Sequence, residues 1–394
     1  MTYRETLKHP VVARLSLIQL ISYFGTWFSQ VAIFSMIVSF GADEMTIALT
    51  AAMAMLPAVI LAPIIGIVID RIDFKKMMLV LLLVEISATI GFIFINSLAF
   101  VWILMLLIFI RSAAASMLFS AEMALFPKLI KGKMLKNTNE IHSIIWSFTY
   151  ASGMAVGGFV TYKIGFDTAF MLDALLYSIA VLLLLGLKLT IEKHTLVASN
   201  WQLFREGFAY LKSHKKLLHL ILLHASLGLT SFDALITLLA DHHYKELIAV
   251  PLSIGIMNAT RAVGLMIGPF FIGRIIHKEN LHWFFLLQGS AIILWSQFEY
   301  SFYLALVSLF ITGFFITTLW SYTYLLIQEE TEKKYMGRVI SYNDMFFMLS
   351  NVLTALFIGY AAKQAISLEA ITAALGIGFL IVALYYAWFR QHYL

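Results

Sequence analysis

The sequence contains no cysteine and few charged residues, since Asp, Glu, Lys and Arg together make up 12% of its 394 residues. Without cysteine, the chain has no disulfide, no thiolate metal ligand and no thiol nucleophile. Soluble domains carry about twice this charged fraction. Because 61% of the residues are hydrophobic, the chain cannot cover its surface with polar groups, and we expect lipid to be its main solvent.

Motifs of enzymes and of nucleic-acid-binding proteins are also missing. The sequence has no His-Glu-x-x-His helix, no Gly-x-Ser-x-Gly turn and no basic nucleic-acid stripe. A run from Asp241 to Glu246 contains two histidines, but a solvated loop is favoured there over a divalent-metal site. We therefore predict no cofactor, no resident metal and no enzymatic activity, with a polytopic membrane enzyme as a remote alternative.

Twelve apolar segments are each long enough to cross a bilayer, which needs about 20 residues per helix. The predicted fold is therefore an all-α membrane protein, since backbone groups in lipid must be satisfied within each helix. The predicted spans lie near 14–40, 46–69, 76–95, 98–120, 140–162, 168–190, 217–240, 250–276, 281–298, 301–327, 338–361 and 367–390.

Basic residues predict the orientation of these spans. If the N-terminus is cytoplasmic, Lys163, Lys245 and Lys363 are the basic residues of the external loops. Every other lysine and arginine, except Arg111 and Arg261 within spans, falls on the cytoplasmic side, as the positive-inside rule requires. The first span has no cleavage pattern and reads as permanent. We predict a bacterial inner-membrane protein with both termini cytoplasmic.

A polar stretch at 191–216 divides the spans six and six, which predicts domains at 1–190 and 217–394. Its segment from Trp201 to Leu211 has the spacing of an amphipathic helix at the cytoplasmic membrane surface. The halves also repeat, because 109–112 (Phe-Ile-Arg-Ser) matches 310–313 (Phe-Ile-Thr-Gly). Parallel repeats place a substrate cavity between the two halves.

The loop after the second predicted span carries a recognisable signature. It is built on Gly66, Asp70, Arg71 and Lys75, and is similar to Gly-x-x-x-Asp-Arg-x-Gly-Arg-Lys, with Asp73-Phe74 at the Gly-Arg positions. The chain also carries Arg111 in span 4 and a glycine run in span 5 that lacks the usual proline: Gly153, Gly157 and Gly158.

On these residues the chain resembles the major facilitator superfamily along essentially its whole length. It is most similar to the twelve-span drug:proton antiporter branch, which includes macrolide-efflux and siderophore-export proteins. The resemblance implies two six-helix bundles around a central cavity, alternating access and a monomer. It also implies that Arg111 faces the cavity, while Glu85 in span 3 supports it from behind.

Ionisable residues within spans are functional candidates, because a charge at the bilayer centre costs at least about 2.5–3.5 kcal/mol. Asp233 and Arg261 lie at depths that allow an ion pair between spans 7 and 8, either as a proton carrier or as a permanent structural pair. His224 is a proton relay or a residue near the cytoplasmic interface. The candidates are Glu85, Arg111, Asp173, His224, Asp233 and Arg261.

Spans 1 and 10 supply a candidate substrate pocket with aromatic walls and a few polar groups. Generic packing or an interfacial aromatic belt is the alternative interpretation. In the signature loop, Asp70 is predicted to hold the halves closed near the start of span 11, and the glycines of span 5 to allow close helix packing. The predicted pocket residues are Trp27, Gln30, Thr312, Thr317, Trp320, Tyr322 and Tyr324.

The expected function is secondary active transport by alternating access, as proton-coupled efflux of small lipophilic or amphipathic compounds. The expected partners are a small-molecule substrate, protons and the lipid bilayer, with no nucleic acid. The open alternative is a carrier that exports or imports a siderophore, a metal or a nutrient.

Overall fold

The computed structural model describes residues 2–187 and 200–393, including the side chains of all but 63–71 and 200–204. These residues are helical apart from short connections, and no strand occurs among them. Twelve long helices, α1 to α12, run over Pro10–Ser39, Glu44–Arg71, Phe74–Phe92, Val101–Leu129, Gly132–Ile164, Phe166–Leu185, Lys215–Tyr244, Val250–Ile272, Leu281–Phe298, Phe302–Glu330, Met336–Lys363 and Leu368–Tyr393.

Ten of these helices are long and apolar enough to cross a membrane, by length and hydropathy within the described residues. The other two, α3 and α9, have 19 and 18 residues and stand at the positions of predicted spans 3 and 9. The all-helical membrane fold is therefore confirmed, and the number of twelve spans stays a prediction for α3 and α9.

Local sequence fixes several helix ends. Helix α3 begins after Asp73, whose carboxylate accepts a hydrogen bond from the Lys76 N–H at 3.0 Å and so satisfies a free donor of the first turn. Helices α5 and α6 meet at Gly165, where φ is +84°, a conformation that suits glycine. Helix α8 starts with Pro251 in its first turn, where the missing N–H costs nothing.

Packing repeats between the two halves of the chain. Helix α1 packs on α5 and α6, α2 on α4, and α3 on α4 and α6. The equivalent pairs in the second half also form: α7 with α11 and α12, α8 with α10, and α9 with α10 and α12. Each second-half helix begins about 200 residues after its counterpart. The fold therefore consists of two pseudo-symmetric six-helix bundles.

Two helix pairs, α2–α11 and α5–α8, join the halves along a seam. We call the end of the bundle that carries both chain termini the terminal end, and the opposite end the loop end. At the loop end, a Cβ on Gly158 would lie 2.6 Å from the Pro251 carbonyl oxygen and 3.0 Å from Gly255 Cα. A Cβ on Gly359 would lie 2.2 Å from Ala48 Cβ. The halves are therefore in direct backbone contact at the loop end.

An ion pair spans the seam at the same end. Lys363 Nζ lies 3.3 Å from Asp43 Oδ2, in the connection between α1 and α2. A hydrogen bond with Thr46 and the nearby Lys363 ammonium lower the pKa of Asp43. Asp43 is exposed, so this pair adds selectivity for the closed arrangement more than stability.

The glycines of α5 have two different neighbours. A Cβ on Gly157 would lie 2.3 Å from the Phe28 carbonyl oxygen of α1, and one on Gly153 would lie 2.9 Å from Trp27 Cβ. Gly158, one residue further on, faces α8 of the other half. Small residues therefore let α5 approach α1 within its half and α8 across the seam.

A linker helix occurs at Asn200–Ser213, where the amphipathic helix was predicted. Tyr210 and Leu211 are buried, and the Tyr210 ring stacks on Tyr335 with centroids 4.1 Å apart. Arg338 of α11 pairs with Glu206 at 3.2 Å. One face of the helix therefore covers the terminal end of the second half, and its position at the membrane surface stays a prediction. The domain limits at 190 and 191 lie outside the described residues.

Candidate functional site

A buried ion pair joins α4 and α6 inside the first half. Arg111 Nη2 lies 2.8 Å from Asp173 Oδ2, and the two side chains are 6% and 0% exposed. The guanidinium also lies over the rings of Phe92 and Tyr177, 5.8 and 5.7 Å from their centroids. Removing one partner of a buried ion pair costs about 3–5 kcal/mol, because the other charge stays buried without compensation.

Tyr177 extends this pair into a network. Its hydroxyl lies 2.8 Å from Thr26 Oγ1 of α1 and accepts from Arg111 Nη2 at 3.4 Å. Glu85 of α3 is 1% exposed and lies next to the same hydroxyl. Arg111 and Glu85 are thus brought together with Asp173 in one polar cluster that connects α1, α3, α4 and α6.

A second buried carboxyl, Glu122, lies further along α4. It is fully buried, and its Oε2 accepts hydrogen bonds from Gln19 Nε2 at 3.0 Å and from the Tyr23 hydroxyl at 2.7 Å. Glu122 was not predicted, because span 4 was ended at 120. Its spacing could have revealed it, since a residue eleven positions after Arg111 lies on the same helix face, three turns along.

A small cavity of about 20 Å³ opens beside Arg111. This is enough for about one water molecule. Arg111 and Gln30 both line this cavity. Its lining consists of Thr26, Gln30, Ile33, Phe92, Ile108, Arg111, Ser112 and Ala115.

Helix α7 is broken near its middle, and the break carries the other predicted charges. An α-helix at Lys215–Ala225 passes through a 3₁₀ turn at Ser226–Thr230 and resumes at Asp233. The Thr230 carbonyl is freed by the break and accepts a hydrogen bond from Arg261 Nη2 of α8 at 2.8 Å. Interrupted helices of this kind occur at the binding sites of secondary transporters.

Asp233 and Arg261 are neighbours, but their geometry differs from the predicted ion pair. No pair within 4.0 Å forms between them in the part of the chain that the structure describes, although the Arg261 charge acts on Asp233. Arg261 instead binds the Thr230 carbonyl and lies 4.9 Å from the centroid of the Phe232 ring. Both Asp233 and Arg261 are partly exposed.

The first half approaches these charges with aromatic side chains. Tyr150 of α5 lies next to Arg261, and its hydroxyl donates to Asn258 Oδ1 of α8 at 3.3 Å. The Trp27 ring packs on Tyr150 with centroids 4.6 Å apart, and on Trp146 at 5.8 Å. The break in α7 therefore lies at the seam, beside an aromatic wall of the opposite half.

His224 is fully buried in an aromatic cage within the second half. Its Nδ1 lies 2.8 Å from Thr323 Oγ1, while the Thr323 hydroxyl donates to the Leu319 carbonyl. The hydroxyl proton is thus engaged, so Nδ1 carries a proton and Nε2 is a bare acceptor. Nε2 has no partner. The cage consists of Trp320, Tyr324 and Phe347.

The remaining predicted residues have varied locations. Thr312 is buried and donates to Leu309 of its own helix, and Thr317 is partly exposed. Tyr322 lies close to Lys278.

In the signature loop, Lys75 donates to the carbonyls of Leu185 and Leu187 at 2.7 and 2.8 Å and so ties the start of α3 to the end of α6. Of Gly66, Asp70 and Arg71, the structure describes the backbone only.

Asp241 pairs with Lys245, and no group of three metal ligands occurs in residues 2–187 and 200–393.

Known proteins resemble this chain in architecture and in sequence. The crystal structure of the nucleoside transporter NupG superposes on the chain with a TM-score of 0.75 over 100% of both chains at 14% identity, which shows a common fold. Residues 15–295 match the family model of the Major Facilitator Superfamily. A family match over this share of the chain identifies a multi-pass membrane transporter and not an enzyme. The chain belongs to the major facilitator superfamily.

Relatives of known sequence cover most of the chain. The MFS-type transporter YkuC of Bacillus subtilis strain 168 is 24% identical over 413 residues, covering 97% of this chain and 93% of YkuC. Macrolide efflux protein A of Streptococcus pyogenes is 23% identical over 357 residues, covering 86% and 87%. That of Enterococcus faecalis is 23% identical over 309 residues. The chain is therefore a transporter of small molecules, and its bacterial relatives indicate the plasma membrane.

Proposed function

We propose that this protein exports small lipophilic or amphipathic compounds in exchange for protons, as a secondary active transporter that works by alternating access. One observation carries the proposal: the break in α7 brings Asp233 and Arg261 to the seam between the two halves. A titratable carboxyl at a seam that must open and close can couple its charge state to the movement.

The coupling step follows from the contacts of Arg261. When Asp233 is ionised, its negative charge offsets the guanidinium next to it. When Asp233 takes up a proton, Arg261 loses that counter-charge and depends on the Thr230 carbonyl and the Phe232 ring. Proton binding thereby favours a different position of α8 against the broken helix, and the halves rock about the seam.

The sidedness of the proposal rests on the basic residues. The terminal end, which carries most lysines and arginines, is assigned to the cytoplasm by the positive-inside rule. The close contacts of Gly158 with Pro251 and Gly255, and of Gly359 with Ala48, then close the external side. Substrate enters from the cytoplasm or the inner leaflet, beside the aromatic wall of Trp27, Trp146 and Tyr150.

Uptake of a polar nutrient is the competing function. The solved structures with this fold include a nucleoside transporter, and the sequence relatives include macrolide efflux proteins. Aromatic rings dominate the wall beside Asp233, and such walls suit lipophilic ligands better than strongly hydrated ones. The efflux proposal is therefore preferred.

Transport in everted membrane vesicles tests the proposal. A panel of lipophilic dyes is added with an imposed pH gradient, acidic inside, and dye accumulation is followed by fluorescence. The proposal predicts accumulation that collapses with the gradient. In the Asp233→Asn variant, we expect gradient-driven accumulation to be lost while dye exchange down its own gradient persists.

A matched control is Asp167→Asn, which removes an exposed carboxyl at the start of α6. This variant should accumulate dye like the unmodified protein. Accumulation that ignores the pH gradient, or full gradient-driven activity in Asp233→Asn, would refute proton coupling at this site. Uptake of nucleosides by intact cells without any dye efflux would refute the direction and the substrate class.

A further inference from the structure

Glu122 lies in an aromatic pocket of the first half that the coupling scheme does not use. Its neighbours are Tyr23 of α1, Phe119 of α4 and His142 of α5, and we call these four residues the Glu122 pocket. The His142 ring lies 5.8 Å from Tyr23 and 5.2 Å from Phe119 between ring centroids. Glu122 is 0% and His142 is 5% exposed.

The carboxyl of this pocket lacks a positive partner. Its two donors, Gln19 and Tyr23, are neutral, and its Oε1 has no hydrogen-bond partner. No described lysine or arginine forms an ion pair with it. A buried carboxylate without a counter-charge is strongly unfavourable, so the pocket is completed by a positive charge, which is a proton or a cationic ligand.

Phe119 gives this pocket a face toward the interior. Its side chain is 40% exposed, although it lies away from the lipid-facing strip of Trp102, Leu106 and Ile110. Thirteen residues separate Phe119 from Leu106, which places it about 140° around the helix. It therefore shares the face of Ala115 and Ser112, four and seven residues earlier, which line the small cavity, and its exposure opens toward the space between helices.

The second half contains the same arrangement without the charge. By the internal repeat, Trp320 corresponds to Phe119, Thr323 to Glu122 and His224 to Gln19. His224 and Thr323 bridge α7 and α10 as Gln19 and Glu122 bridge α1 and α4. A neutral threonine therefore suffices to join these helices, and joining them does not account for the carboxyl of Glu122.

We propose that the Glu122 pocket is a binding subsite for lipophilic cations. Glu122 holds a proton while the pocket is empty and releases it to water when the cation binds. The resulting carboxylate neutralises the ligand charge, the faces of Tyr23 and Phe119 attract it through their ring electrons, and Phe119 moves aside to admit it. The inference rests on the proposed export function and names a substrate class for it. An aromatic pocket with a carboxylate discriminates by charge sign, which distinguishes it from a purely apolar site.

Two ions of the same shape and opposite charge test the inference. Tetraphenylphosphonium and tetraphenylborate are presented to the purified full-length protein in detergent, and binding is measured by equilibrium dialysis without any pH gradient. We expect the cation to bind at least about tenfold more tightly than the anion. In Glu122→Gln, we expect the cation affinity to fall by about tenfold or more while the anion affinity stays the same or rises.

Two further variants keep the result interpretable. Glu299→Gln removes a buried carboxyl of the second half that, like Glu122, has one oxygen without a partner; it should bind both ions like the unmodified protein. Glu122→Asp keeps the charge and should keep the preference for the cation, which protects the test if Glu122→Gln does not fold.

The outcomes separate this inference from the proposed function. Equal affinity for both ions, or unchanged cation affinity in Glu122→Gln, overturns the subsite even if vesicles export dyes with the pH gradient. Loss of cation binding in Glu122→Gln together with gradient-independent export supports the subsite and refutes proton coupling.

Discussion

At the residue scale, the buried pair of Arg111 and Asp173 has a measurable consequence. Replacing Asp173 by Asn removes the ion-pair partner of the buried Arg111 guanidinium, and the free energy of unfolding should fall by about 3–5 kcal/mol. Denaturant unfolding of the purified protein measures this. The exposed Asp167→Asn on the same helix should have no effect, and an equally stable Asp173→Asn would contradict a permanent ion pair.

His224 and Thr323 provide a second residue-level prediction. Because the Thr323 hydroxyl is the acceptor for His224 Nδ1–H, Thr323→Val leaves a buried donor unpaired and should cost about 1–3 kcal/mol of stability. Thr323→Ser keeps the hydroxyl and should behave like the unmodified protein. Unfolding curves that place Val and Ser at the same stability would show that this hydrogen bond does not stabilise the fold.

Individual charges could be found from the sequence, but their partners could not. Arg111, Asp173, Asp233 and Arg261 stood out because ionisable residues are rare in apolar spans. The pairing of Arg111 with Asp173 depends on how α4 and α6 rotate against each other, which no spacing within one helix determines. Glu122 was missed because span 4 was ended where its apolar run ends, at residue 120. The helix itself continues to Leu129 and includes Glu122.

At the scale of helices, close glycine contacts predict different effects at neighbouring positions. Gly157→Ala adds a Cβ that would lie 2.3 Å from the Phe28 carbonyl oxygen, so α1 and α5 must separate within one half. Overpacking of this kind costs about 1–3 kcal/mol, measurable as a lower Tm. Gly337→Ala is the control, since a Cβ there meets nothing within 4 Å. A Gly157→Ala protein as stable as this control would contradict the packing.

The order of the helices could be predicted because hydropathy and basic loops follow from lipid and water alone. The break in α7 could not be predicted, since the segment has no proline. Glycine is suited to position 228 because a Cβ there would lie only 2.7 Å from Ser350 Cβ of α11. This contact joins distant parts of the chain, so local sequence does not reveal it. The position of the linker helix likewise depends on Tyr335 and Arg338, more than one hundred residues away in sequence.

At the scale of the whole molecule, the pair of Asp43 and Lys363 makes closure at the loop end sensitive to pH. Thr46 within α2 and, to a smaller extent, Lys363 across the seam lower the pKa of Asp43, so the attraction between Asp43 and Lys363 is present above the ordinary aspartate pKa. It is lost as pH falls through the lowered value. We place a cysteine at Met45, beside Gly359, and compare its maleimide labelling rate with that of the same cysteine in Asp43→Asn at each pH. Acid slows both rates equally by protonating the thiol, and we expect the ratio of the two rates to rise toward one as the pH falls. The absence of native cysteine makes this labelling specific. An identical pH response in both proteins would contradict the role of this pair.

Rocking of two halves about the seam is the central claim, and paired distances test it most directly. Spin labels are attached at Asp167 and Gln364 on the loop end, and in a second protein at Ile72 and Ser341 on the terminal end, all exposed positions. Distances are measured by pulsed electron resonance at acid and alkaline pH. We expect the two distances to change in opposite directions with pH, so that one pair of labels moves apart as the other pair approaches. In Asp233→Asn, we expect this response to pH to be lost. Two distances that stay fixed, or that lengthen together, would contradict it.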